Sequence, residues 1–129
     1  MKKLLLISGF ISLAYNVFSQ QGLKYSQTIT LSGSTTNCSG SISSCNTIAT
    51  VPAGKTWKIE SAWINNDLNE GYLIINNNLA GKFDLTSVGI ERPNFPIWLK
   101  SGDTIKFSIS YFNVSTISYF LSILEFDIN

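Results

Sequence analysis

The sequence predicts an all-β fold: a single antiparallel β-sandwich of seven to nine strands, jelly-roll-like in character. Three observations carry this prediction. Apolar and polar residues alternate at a spacing of two, as in Ile105, Phe107, Ile109 and Tyr111 against Thr104, Lys106, Ser108 and Ser110. Turn chemistry recurs at short intervals, in Pro52-Ala53-Gly54-Lys55, Asn76-Asn77-Asn78 and Ser101-Gly102-Asp103. No segment sustains a 3.6-residue period between helix caps.

Residues 1–19, MKKLLLISGFISLAYNVFS, precede the first strand signal. Lys2 and Lys3 are followed by an uncharged, mostly apolar run to Val17, and Ser19 with Val17 offers small residues for a peptidase. The run has the length of a signal-peptide core and is short for a membrane span. The expected organisation is a signal peptide at 1–19 and one β-domain at 20–129, secreted or periplasmic in a bacterial cell. About 110 residues suffice for one domain with a modest core.

Lys24 to Leu31 alternates, with Tyr25, Ile29 and Leu31 on one parity, and reads as a half-buried strand. Ser32 to Ser44 is rich in Ser, Thr, Gly and Asn and reads as a loop. Within it begins the closed segment CSGSISSC, whose Cys38 and Cys45 are the only cysteines and should pair in an oxidising compartment. Asn46 to Val51 is a short strand ended by the Pro52–Lys55 turn. Thr56 to Asn65 is a strand with Trp57, Ile59 and Trp63 expected on one face. Asn65 to Gly71 is a polar turn, Tyr72 to Ile75 a buried strand, and Leu79 to Leu85 its return across the Asn76–Asn78 tip. Residues 86–94 read as irregular.

Pro96 to Lys100 starts another strand, and Thr104 to Phe112 follows after the Ser101–Asp103 turn. Ile117 to Ile128 is a long final strand, apolar on both parities, which predicts either two buried faces or a bulge. Glu125 interrupts it, and is expected to face solvent beside a bulge or to lie at a subunit contact. Gly54 and Gly102 sit where the chain leaves one strand and enters the next, and can adopt positive φ without a Cβ penalty.

Composition narrows the chemistry. The chain has 44% hydrophobic and 13% charged residues and no histidine. Triads built on histidine are therefore impossible within one subunit. Without Lys2 and Lys3, seven basic residues face eight acidic ones, a balance that argues against nucleic-acid binding and gives little repulsion between copies. No run beyond residue 19 is long and apolar enough to span a bilayer. Paired carboxylates are available, but none of the eight sits in a recognisable motif. No metal or cofactor is expected. Asp67, Asn69 and Glu70 form the nearest approach to a calcium cluster, but the spacing is not that of an EF-hand and suits an ordinary turn.

Aromatic residues are the better candidates for a site. Trp57, Trp63, Trp98 and Tyr72 could stack on sugar rings or line an interface. Trp57 and Trp63, on the shared face of one strand, are expected in the core. Trp98 shares its parity with Pro96 and Lys100, opposite Ile97 and Leu99, and is expected to point outward.

Three segments, VPAGKTWKIESAWI at 51–64, FPIWLKSGDTIKF at 95–107 and LSILEFDI at 121–128, together resemble small secreted bacterial proteins of uncharacterised function with jelly-roll-like sandwiches. The likeness covers roughly the last eighty residues and implies a fold, not an activity. The strand pair Leu99 to Ile105 and the apolar ending Ile117 to Leu124 also resemble the C1q and tumour-necrosis-factor type of jelly roll, which implies a trimer. The expected function is thus a secreted, non-enzymatic binding or assembly domain that associates with itself or with an extracellular glycan or protein. A carbohydrate-binding module using exposed aromatics is the alternative, and a small carboxylate-dependent hydrolase the third reading.

Overall fold

The structure, a computed structural model, describes residues 22–38, 42–64, 70–84, 93–110 and 116–129. Residues 1–19, the expected signal peptide, lie outside them, as do Asp67 and Asn69. The described residues form eight strands: β1 Leu23–Thr36, β2 Ala49–Thr50, β3 Lys55–Ile64, β4 Glu70–Ile75, β5 Asn78–Asp84, β6 Ile97–Lys100, β7 Thr104–Ile109 and β8 Thr116–Ile128. A single 3-10 turn covers Ile42–Ser44.

Two four-stranded sheets result, ordered β1-β8-β3-β6 and β2-β7-β4-β5, with every pairing antiparallel. First pairs with last, second with seventh, third with sixth and fourth with fifth. The chain is one long hairpin rolled up from its tip, which is the jelly-roll arrangement. The tip is Asn76-Asn77, both at positive φ (51° and 62°), the geometry a two-residue hairpin turn demands and that Asn tolerates. Gly54 and Gly102 also take positive φ, at 74° and 87°.

The core lies between the sheets. Trp57, Ile59, Ile64, Leu99, Ile117, Leu121 and Ile123 meet Leu73, Phe83, Ile105, Phe107 and Ile109 from the other side. Each such side chain contributes about 1.5–3 kcal/mol on leaving water. Alternation predicts this set well in β7 and in the odd positions of β8. Cys38 and Cys45 are joined, with Cα atoms 4.8 Å apart, and fasten the segment between β1 and β2. The Phe95–Pro96 peptide is cis, immediately before β6.

Four expectations need correction. Tyr25 does not share a face with Ile29 and Leu31, because a bulge between Tyr25 and Gln27 inverts the parity of β1 and turns Tyr25 to solvent. The polar segment from Ser32 continues as strand to Thr36, because β8 offers pairing partners as far as Thr116. Ser and Thr on the solvent face are no obstacle to a strand once a neighbour supplies the ladder. Trp57 and Trp63 do not share a face. A bulge between Ile59 and Ser61 inserts one residue against β8, so parity inverts and Ile64, not Trp63, enters the core. Glu125 is neither exposed nor at a surface of the sandwich; it points inward and is buried.

Candidate binding surface

The outer face of the β1-β8-β3-β6 sheet carries most of the large apolar side chains left in water. β8 is an inner strand with β1 and β3 on its flanks, so its even positions, Phe120, Leu124 and Phe126, project from the middle of that face. Phe126 stands opposite Tyr25 of β1, and the rings meet edge to face with centroids 6.0 Å apart. On its other side the ring of Trp98 from β6 lies 5.5 Å away. The contact runs diagonally across β3, where Thr56 stands opposite Phe126 and Lys58 opposite Trp98. Lys58 Nζ stands 5.7 Å from the Trp98 ring centroid, a cation–π contact, and pairs with Glu60 at 2.6 Å.

Farther along the same face Trp63 sits opposite Phe120. Trp98 and Trp63 are 51% and 50% exposed, and Tyr25, Leu23 and Ile128 are similarly open. Hydroxyl groups fill much of the remaining face: Thr28, Thr30, Ser32 and Ser34 on β1, and Ser118 and Ser122 on β8. Ser34 and Ser118 are in hydrogen-bond contact across the ladder at 3.4 Å. Aromatic rings among neutral hydroxyls suit stacking and uncharged hydrogen bonding rather than ion recognition.

The four aromatic candidates are thereby separated. Trp98 points outward as expected, and Trp63 joins it on that face against expectation. Trp57 lies in the core, only 5% exposed. Tyr72 belongs to the opposite sheet, where its hydroxyl donates to Glu70 Oε2 at 2.6 Å. Glu70 also pairs with Lys82 at 2.6 Å. The Lys82 and Tyr72 bonds hold its carboxyl below the usual range, and Glu70 in turn raises the Tyr72 hydroxyl. Both Glu70 oxygens are thus engaged within the protein. Among the described residues no group of three or more Asp, Glu, Cys or His is placed to hold a metal ion.

Tyr25, Phe120 and Phe126 are the members of the face that the sequence reading did not single out as site residues. For Phe120 and Phe126 the signal was the apolar run on the even positions of β8, which alternation alone cannot assign to a buried or an exposed face; Tyr25 had the parity of Ile29 and Leu31, which pointed it inward.

Glu125 anchors the inner side of the same sheet. Its Oε2 accepts the Trp57 indole N–H at 2.8 Å, its Oε1 accepts Gln27 Nε2 at 3.0 Å, and Lys55 Nζ stands 3.4 Å from Oε1. The Trp57 bond, helped by Gln27 and Lys55 and opposed by burial, holds the carboxyl below its ordinary value. Lys55 is raised in turn, first by its bond to Asp127 and then by Glu125. Ser34, Thr35, Asn46, Thr47, Thr116 and Tyr119 border an open groove of about 430 Å³.

Compared with known proteins, the chain matches no family model, no curated protein and no solved structure. The fold and the surface are therefore what bear on function.

Proposed function

We propose that this chain is a secreted, non-enzymatic binding or assembly domain that associates with copies of itself. The observation that carries the reading is the outer face of the β1-β8-β3-β6 sheet, where Tyr25, Trp63, Trp98 and Phe120 stand in water although the core is already filled from the inner face. Large aromatic groups gathered on one face mark an interaction surface. The near-neutral charge offers no barrier to a like copy. The disulfide fits an oxidising compartment, and no helix among the described residues is long and apolar enough to cross a membrane. The hydrolase reading gains nothing from Glu125, because a carboxyl held below its ordinary value is a poor general acid near neutrality. Light scattering over a wide concentration range tests self-association, and a strict monomer throughout would refute it.

One observation favours a second reading. Trp98, backed by Phe126 and flanked by Thr56 and Lys58, presents an indole face with hydrogen-bonding neighbours. That is a fit for a sugar ring. Glycan-array binding that Trp98→Ala removes, while the fold stays intact, would establish it; an array without binding would dismiss it.

A further inference from the structure

The two sheets have four edge strands, and three of them are guarded. β2 has only two residues. β6 has four and follows directly on Pro96. β5 has seven, but carries Lys82 and Asp84 and meets a register shift where β4 passes from Leu73 to Ile74. Short length, charge, proline and bulges are the devices by which sheets avoid pairing with strangers.

β1 has none of these over most of its length. It runs for fourteen residues, and no described strand pairs with its outer edge. Its one irregularity lies between Tyr25 and Gln27, near the start. From Gln27 to Thr36 it holds no charged residue and no proline. Its last residues, from Ser34, border a groove shared with the segment at Asn46–Ile48.

We propose that β1 is a docking edge for a second copy of this chain, β1 against β1 in antiparallel register about a two-fold axis within Thr30–Ser32, the middle of its uncharged stretch. The inference rests on the self-association proposed above, but places the contact on the β1 edge and leaves the aromatic face free for a further partner. A strand that pairs with its own copy must tolerate each residue opposite its equivalents. An uncharged Ser/Thr strand does so in any register, and cross-strand hydroxyl pairs add hydrogen bonds, as Ser34 and Ser118 do within the subunit. A charged partner would find no complement on this edge. The product is one continuous eight-stranded sheet, with the two aromatic faces side by side and still open to solvent. It makes the assembly a dimer, rather than the trimer that the C1q likeness implies.

The test is a charge pair on the solvent side of β1. Thr30 and Ser32 are exposed and lie outside the core. Whichever of Thr30, Leu31 or Ser32 lies on the axis, the double variant Thr30→Lys/Ser32→Lys sets lysine opposite lysine. Sedimentation equilibrium should show the wild type as a dimer and the lysine variant with an association constant at least tenfold lower. Thr30→Glu/Ser32→Glu should be weakened likewise, and mixing the two variants should restore a heterodimer, which misfolded chains could not form. If the wild type associates but both variants match it, or only Trp63→Ser/Trp98→Ser loses association, the edge is not the contact and self-association stands by another surface. A three-fold assembly would overturn the proposal in the same way. A wild type that is monomeric at every concentration would overturn self-association itself.

Discussion

The Trp57 indole donates a hydrogen bond to Glu125 across 2.8 Å in the interior of the sandwich, tying β3 to β8 at the point where their side chains face the core. One buried aromatic and one buried carboxylate thereby satisfy each other, with Gln27 and Lys55 filling the rest of the carboxylate's capacity. Replacing the indole by a smaller ring without a donor, as in Trp57→Phe, should cost at least about 1–3 kcal/mol, the penalty for leaving a buried acceptor short of a partner, to which the cavity adds. Urea denaturation followed by circular dichroism would measure it, and an unchanged midpoint would show the bond to be worth nothing net.

The same site sets a pH dependence. The folded Glu125 carboxyl lies below its ordinary value of 4.5, chiefly through Trp57 and further through Gln27 and Lys55. A group depressed in the folded state contributes stability that is fully present above the unfolded value and is lost as pH falls through the folded one. Stability should therefore hold down to about pH 5 and decline below it. In Glu125→Gln the fall between neutral pH and pH 3 should be smaller than in the wild type. Thermal melts at a series of pH values would decide, and parallel curves for the two proteins would assign the acid sensitivity to other carboxylates.

How far the sequence exposed this arrangement depends on the residue. The alternation in β7 identified Ile105, Phe107 and Ile109 as core because nothing there breaks the period of two. In β3 the same rule failed at Trp63, since a bulge is one extra residue and leaves no compositional mark in KTWKIESAWI. Trp98 was legible from its parity. Glu125 was not, because a carboxylate is buried only when its partners are present, and Trp57, Gln27 and Lys55 are 68 or more residues away in the chain. The aromatic face was half legible: apolar even positions in β8 were evident, but whether a sheet face meets solvent depends on what covers it.

Gly81 is held to glycine by a neighbour. A Cβ built there would lie 2.4 Å from Pro93 Cβ, and Pro93 is buried and cannot swing aside as a flexible chain could. Gly81→Ala should destabilise by about 1–3 kcal/mol through overpacking. The neighbouring exposed change Ala80→Ser should be close to neutral, within about 0.5 kcal/mol. Equal midpoints for the two variants would mean that the Pro93 segment yields freely.

Gly102 is constrained by its backbone alone. Its φ is 87° and a Cβ would meet nothing within 4 Å. Gly102→Val should cost about 1–2 kcal/mol or more, and Gly102→Asn less, because Asn accepts the left-handed region. If valine were no worse than asparagine in chemical denaturation, the turn would have relaxed to negative φ.

Asn76 joins the hairpin tip to the neighbouring turn. Its Oδ1 accepts the Thr104 N–H at 2.9 Å, and its Nδ2 donates to Asp103 Oδ1 at 2.7 Å, while Asp103 Oδ2 accepts the Lys100 N–H at 2.8 Å. One amide side chain thus links β4 to the turn between β6 and β7, and it does so from positive φ. Asn76→Gly retains the conformational freedom but loses both side-chain bonds, and should cost about 1–2 kcal/mol. Asn76→Asp keeps the acceptor for Thr104 but sets a carboxylate against Asp103. At neutral pH it should be the less stable of the two, and added salt, which screens like charges, should narrow the gap to Asn76→Gly. Denaturation midpoints for both variants at low and high salt would separate the effects. If the gap between them is the same at low and high salt, repulsion is not what Asp103 contributes, and the link is one of backbone geometry.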